Sequence, residues 1–240
     1  MIRRSPFQNR RAFTLIELLV VMAIISMLAS MLLPSLSSAK EQALRIQCLS
    51  NQRQAGMALR MWSDDNRLRY PWETSVSNGG TQGSICAWAH FYVVQSEMVT
   101  PKILACPSDR ERYAAFAFDG TNTGCLIWNG NYDVSYFIGL DATAARPAMH
   151  LLGDRNVTGL ESQNCAATSV NGIVTWLMPS NNPGWDMSIH RNAGNIALAD
   201  GSAGRFGISA LRVHSTTAAA NTDANCALKP LLCPVGSGTT

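Results

Sequence analysis

From Phe13 to Leu33 the chain runs for twenty-one residues with a single charge, Glu17. As an α-helix at about 1.5 Å per residue, this stretch covers roughly 30 Å, the thickness of a bilayer's hydrocarbon core. It is a transmembrane helix candidate, and its flank sets an orientation. Arg3, Arg4, Arg10 and Arg11 precede it and no acid does, which predicts a cytoplasmic N-terminus and an exported remainder. Without those four, fifteen basic residues face sixteen acids, so the formal charge of +3 becomes −1. No basic stripe with interleaved aromatics is left, which argues against nucleic acid as a partner. Apolar residues make up 47% of the chain and charged ones 15%. The apolar excess is local to the N-terminal run, and 240 residues suffice for one cored domain plus an appendage.

A secretory signal would have an apolar core of about 7 to 15 residues followed by small residues at a cut, and Ser37-Ser38-Ala39 has that form. The apolar run is too long for that and carries an acid. A plain signal anchor explains the length but not Glu17, since an acid at a helix centre costs about 2.5 to 3.5 kcal/mol on insertion, less toward the end. The stretch Arg10-Arg11-Ala12-Phe13-Thr14-Leu15-Ile16-Glu17-Leu18 resembles the N-terminal processing motif of type IV pilins and type II secretion pseudopilins. The resemblance implies a prepilin peptidase that cuts between Ala12 and Phe13 and methylates the new amine of Phe13. The residue before the cut is usually Gly in that family; Ala12 is also small. Glu17 falls on the family's fifth mature residue, whose carboxylate meets the terminal amine of a neighbouring subunit during filament assembly. Pairing would neutralise a costly intramembrane acid and set subunit register. Pro34 stands where many family members bend the helix as it leaves the membrane.

Beyond Pro34, Leu44, Cys48, Ala55, Leu59 and Trp62 form one apolar stripe at helical spacing. Gly56 weakens the helix locally, and Asp64-Asp65-Asn66 ends it before Tyr70-Pro71. Short runs broken by Gly, Asn and Pro follow. Residues 85–94 suit either a helix or a buried strand. Strands are expected at 134–139, 149–152, 172–177, 195–199 and 203–208, separated by turn-rich loops and so antiparallel. The expected class is α+β: a pilin-like long N-terminal helix on an antiparallel sheet. The divisions are a leader at 1–12, the transmembrane assembly helix at 13–34, its amphipathic continuation at 35–66, a head at 67–214 and a weakly ordered tail at 215–240.

In SIHRNAGNIALADGSAGRF, nine residues separate His190 from Asp200-Gly201. This resembles the H-x9-DG element of a pilin-like family with the same processing helix. CLSNQRQAG at 48–56, ACPSD at 105–109, VSYFIG at 134–139 and LLGDRN at 151–156 extend the resemblance over most of the chain. Imidazole and carboxylate are metal ligands, so His190, Asp200 and Asp154 are metal candidates. The simpler expectation is a hairpin turn at Asp200-Gly201, with His190 hydrogen-bonded to a neighbouring loop. Related pseudopilins often bind calcium in a C-terminal loop, but no ligand set can be matched here residue by residue; no other cofactor is expected. No GxSxG elbow supports a hydrolase. Seven cysteines occur without a CxxC. Cys226 and Cys233 flank a short Pro-containing loop and are a candidate disulfide, and Cys106 is expected buried or disulfide-bonded. His90, beside Phe91 and near Trp88, is expected to be a core or interface histidine, and the six Trp to be packing anchors.

The expectation is a structural, non-catalytic pilin or pseudopilin subunit of a type II secretion or type IV pilus-like filament. It sits in the bacterial inner membrane as a single-pass protein with a periplasmic or extracellular head. Its partners are the prepilin peptidase, other pilin subunits, the inner-membrane assembly platform and membrane lipid. The rival is a membrane-tethered periplasmic binding or metal-dependent domain that uses the helix only as an anchor.

Overall fold

A computed structural model of the chain describes residues 13–84, 86–119, 126, 130–159, 173–176, 179–220 and 230–233. Arg10 to Ala12 of the expected processing site, and Cys226, lie outside them. The chain divides into two compact units, Met1–Ala43 and Leu44–Thr240. Helix α1 (Leu15–Asp65) contributes to both.

In the first unit, Thr14 and Leu15 open α1, and apolar side chains stay exposed on every side. Ile16, Met27, Met31 and Leu32 are each more than 60% exposed. No described residue of the unit covers them. Its hydroxyls are satisfied within the helix: Ser26 Oγ donates to Met22 O (2.8 Å) and Ser30 Oγ to Met27 O (2.8 Å), the arrangement a dry environment requires. Pro34 lies inside the helix and removes one backbone donor from the ladder.

The second unit begins with the remainder of α1. Cys48, Gln52, Ala55, Gly56, Ala58, Leu59, Trp62 and Ser63 are its buried residues, one stripe at i, i+4, i+7 and i+11. The expected stop holds. The Asn66 side chain donates to Trp62 O (2.8 Å), Leu68 N to Ser63 O (2.9 Å), and Arg67 and Leu68 both take φ 59, a left-handed exit that satisfies terminal carbonyls.

Eight strands follow: β1 (Tyr136–Gly139), β2 (His150–Asp154), β3 (Val157–Thr158), β4 (Ile173–Trp176), β5 (Gly184–Trp185), β6 (Ala193–Leu198), β7 (Ala203–Gly207) and β8 (Pro230–Cys233). Six form one sheet in the order β4-β8-β1-β2-β6-β7, every pair antiparallel, while β3 and β5 pair separately. This is the expected α+β arrangement. The five expected strands are present with ends shifted by up to two residues; β3, β5 and β8 were not expected. Residues 87–93 resolve the ambiguous run as helix α2 (Ala87–Val93), which buries Ala87, His90 and Phe91. A third helix, α3 (Ile208–Ala220), and strand β8 occupy parts of the expected weakly ordered tail. The Ala- and Thr-rich composition hid α3 because only Leu211 and Ser215 among its side chains are buried.

The pleat sorts side chains between two layers. Tyr136 and Ile138 of β1, with Leu151 and Leu152 of β2, join Leu59 and Trp62 of α1 in the main core. Phe137 and Ile196 point the other way, toward Leu211 of α3, Trp185 and Val157. A register shift between His150 and Leu152 lets consecutive leucines share one core. Each such fully buried apolar side chain contributes about 1.5 to 3 kcal/mol of burial free energy.

Candidate functional site

Where α1 crosses the sheet, the apolar interface gives way to a sealed polar cluster. Cys48 and Gln52 come from α1, Cys106 from the loop after the 3-10 turn Pro101–Leu104, Asp154 from the end of β2, His190 from the turn before β6 and Asn195 from β6 itself. All six are at most 2% exposed. Asp154 shares the pleat face of Leu152, which aims it at α1. There the Gln52 amide donates to Oδ1 (2.6 Å) and the Asn195 backbone N–H to Oδ2 (2.7 Å). His190 Nε2 stands 3.4 Å from Asp154 Oδ2, 3.5 Å from Cys106 Sγ and 3.3 Å from Asn195 Nδ2. The guanidinium of Arg45 donates to the His190 carbonyl. Arg191 and Asn192, at φ 50 and 59, make the sharp turn that brings His190 inward.

Cys48 and Cys106 are joined by a disulfide, with Sγ atoms 2.04 Å apart. The Cys106 loop is anchored from behind. Arg155, next after Asp154, donates from Nε and Nη2 to the two oxygens of Asp109 (2.7 and 2.8 Å) and from Nη2 to Glu111 (2.6 Å), and a bidentate pair of this kind fixes orientation as well as distance. Burial raises Asp109, and the Arg155 guanidinium overrides it, holding the carboxyl below its ordinary value.

Burial also governs the centre of the cluster. It pushes the Asp154 carboxyl up to about 8 against the donors Asn195 N–H and Gln52. It pushes His190 down to about 4, helped by the cations of Arg45 and Arg205. At neutral pH both groups are therefore uncharged. Nε2 is the ring nitrogen that faces Cys106 Sγ, the Asn195 amide and the Asp154 carboxyl.

Asp200 does not belong to this cluster. It lies beyond the far end of β6, about 20 Å along the strand from His190 at some 3.3 Å per residue. There it makes the expected hairpin: Leu198 N donates to Ser202 O (2.8 Å), Gly201 takes φ +86, and Asp200 Oδ1 accepts from Ser202 N (2.7 Å). Gly201 at that φ is a turn residue. The three metal candidates thus separate into His190 with Asp154 and a distant Asp200. Cys106, which no basic residue adjoins in sequence, has His190 beside it in space.

At the other end of the described chain, Thr14 and Glu17 close on each other. The Thr14 backbone N–H and hydroxyl both donate to Glu17 Oε2 (2.9 and 2.8 Å), and Glu17 N donates to Thr14 Oγ1 (3.2 Å). This is a capping box: the single acid of the apolar span satisfies helix-start donors of its own chain. Phe13 precedes it, 70% exposed. A family model described as the prokaryotic N-terminal methylation motif matches residues 7–33. The chain carries a prokaryotic N-terminal methylation motif. No curated protein and no solved structure matches the chain.

The methylation motif covers Phe13, Thr14 and Glu17 and ends at Leu33, one residue before Pro34. It is consistent with a type IV pilin-like protein and with membrane anchoring, and a long apolar helix followed by an antiparallel α+β head is the matching arrangement. The motif implies a prepilin peptidase substrate and pilin subunit assembly. Head residues that local pattern did not single out are Arg45, Gln52 and Asn195, and the pairing of Cys48 with Cys106. The available signal was Cys48 and Gln52, four residues apart on the inward stripe of α1.

Proposed function

We propose that this chain is a structural pilin or pseudopilin subunit, cleaved before Phe13, methylated on the new amine and assembled into a type II secretion or type IV pilus-like filament. The observation that carries the proposal is Glu17: one carboxylate in a span of twenty-one residues whose apolar side chains the rest of its own compact unit leaves exposed. Such a surface is matched by lipid or by apolar helices of other copies, and the carboxylate by a cation brought by one of them. Cleavage before Phe13 creates that cation four residues upstream of Glu17, and a neighbouring subunit brings it as its terminal amine. The Arg-rich flank places the N-terminus in the cytoplasm and the head outside the inner membrane. The protein's role is to pack and not to catalyse, with other pilins, the assembly platform and lipid as its partners. No cofactor enters this role; the calcium reading has no ligand loop to support it.

The anchored-enzyme alternative needs an open site around His190 and Asp200. His190 is sealed and Asp200 lies at the opposite end of β6, so no observation favours it. Intact mass of the membrane-fraction protein tests processing: loss of residues 1–12 plus one methyl group is expected, and an intact Met1 overturns it. Glu17→Ala tests assembly. Incorporation into filaments is expected to be lost while head folding is kept, and incorporation at the unmutated level overturns the structural role.

A further inference from the structure

We infer that, when the Cys48–Cys106 disulfide is reduced, the two thiolates and His190 Nε2 form a binding site for a thiophilic divalent cation of the zinc class. The sulfurs and Nε2 lie within 4.8 Å of one another, and all three residues are buried. Tetrahedral zinc, with bonds of about 2.3 Å to sulfur and about 2.0 Å to nitrogen, needs neighbouring ligand atoms roughly 3.3 to 3.8 Å apart. Cys106 Sγ to His190 Nε2, at 3.5 Å, already has that separation, and so has His190 Nε2 to Asp154 Oδ2 at 3.4 Å. The sulfur–sulfur edge must widen from a covalent bond to roughly 3.8 Å when the bond is broken, and the Cys48 Sγ to His190 edge lies within 4.8 Å before any adjustment.

The histidine is prepared for this role. Its Nε2 faces the sulfurs, 3.5 Å from Cys106 Sγ, and it is through such a nitrogen that a neutral imidazole binds metal. Charge also balances. Two thiolates and one divalent ion sum to zero inside a sealed cluster, whereas two thiolates alone would be buried unpaired anions. Two sulfurs and an imidazole select zinc-class ions over calcium or magnesium, which prefer oxygen.

The two states exclude each other, because the disulfide uses the electrons that would bind metal. Reduction by a dithiol proceeds by exchange: two electrons and two protons pass to Cys48 and Cys106, giving two thiols, and the dithiol becomes a disulfide. The ion then displaces both thiol protons. The reverse step is exchange with a small-molecule disulfide, which takes two electrons from the two thiolates, leaves as two thiolates of its own, re-forms the Cys48–Cys106 bond and frees the divalent ion.

The test uses the full chain in detergent, reduced with a phosphine and freed of metal, with Co2+ as the spectroscopic probe. One equivalent should give thiolate-to-cobalt charge transfer and tetrahedral d–d bands, both removed by Zn2+ and absent from the oxidised chain. His190→Ala should weaken Co2+ binding about tenfold or more. Because that variant also disturbs a buried cluster, alkylation of the unmutated reduced chain gives a second measurement. One equivalent of Zn2+ should protect Cys48 and Cys106 while Cys86 reacts as before. The inference is overturned by no tetrahedral signal, by the same signal from the oxidised chain, by unchanged affinity in His190→Ala, or by protection that falls on other cysteines.

Discussion

Gln52 on α1 donates its side-chain amide to Asp154 on β2 across 2.6 Å, with both residues fully buried. This is a polar bond in the middle of an otherwise apolar helix-to-sheet contact, and it fixes the axial position of the helix on the strand. Removing the Gln52 amide leaves a carboxyl oxygen without its donor, so Gln52→Leu should cost about 1 to 3 kcal/mol. Chemical denaturation of the head followed by near-UV circular dichroism measures it.

The same carboxyl predicts a loss of stability as pH rises from about 4 to about 8. Burial raises Asp154 in the folded chain to about 8, above its ordinary value of 3.8. The proton is therefore held more tightly in the folded state. The associated stability is full below about pH 4 and lost as pH rises through about 8, at about 1.4 kcal/mol per pH unit where the linkage is complete. Asp154→Asn should flatten that decline. Its amide is accommodated if Gln52 turns over and accepts through Oε1, which has no partner among the described residues. An unchanged pH profile in Asp154→Asn would assign the decline to another group.

On the acid side the group to watch is His90. It is fully buried, its Nδ1 is 2.5 Å from Thr81 Oγ1, and Trp72 meets it edge-on at 5.8 Å. Burial pushes it down to about 4 from 6.5. The folded state therefore prefers the neutral ring: the stability is present above pH 6.5 and lost as pH falls toward 4, about 3 kcal/mol in all. His190, also near 4, contributes to the same limb. His90→Gln should lower the slope of stability against pH between 4 and 6.5 by about 1.4 kcal/mol per pH unit.

Two glycines should respond to alanine with opposite signs. A Cβ on Gly194 would lie 2.4 to 2.5 Å from the Trp185 ring, and Trp185 is itself buried in the second core. Gly194→Ala should cost about 1 to 3 kcal/mol by overpacking. A Cβ on Gly56 would meet Ala197 and Leu151 at 3.6 Å, ordinary contact in mid-helix. Gly56→Ala should add about 0.5 to 1 kcal/mol by lowering backbone entropy in the unfolded chain. Paired melting curves of the two variants check the contrast.

The disulfide closes a loop across 58 residues of sequence. Reduction with a chelator present should lower stability by about 4 kcal/mol through regained chain entropy. Denaturant midpoints of the oxidised and reduced chains measure this, and an equal midpoint would mean that packing alone holds the Cys106 loop.

Local pattern carried much of this molecule. The α1 stop at Asp64-Asp65-Asn66, the run at β1 and the Asp-Gly turn at Asp200 were legible because each depends on neighbours in sequence: helix-ending polar residues, a short apolar run bounded by turn residues, a glycine at positive φ. The buried stripe of α1 was legible too, although Gln52 on it was not marked as a partner. Strand β8 and helix α3 were not legible, since Ala, Thr and Gly carry little periodic contrast, and what defines them is pairing with β1 and β4 or packing behind the sheet. His190, Asp154 and Asp200 were grouped by chemistry alone, and β6 separates them.

What the sequence determined by itself is the membrane-length helix with one acid five residues after its expected cut. Length, hydropathy and a single charge are local quantities that no later folding changes. What only the tertiary structure decided is that Cys48 pairs with Cys106, that His190 turns Nε2 toward them, and that Asp154 meets Gln52 while Asp200 stands apart. Those facts depend on which distant segments exclude water from the same few cubic ångströms, and residue spacing along a chain does not encode that proximity.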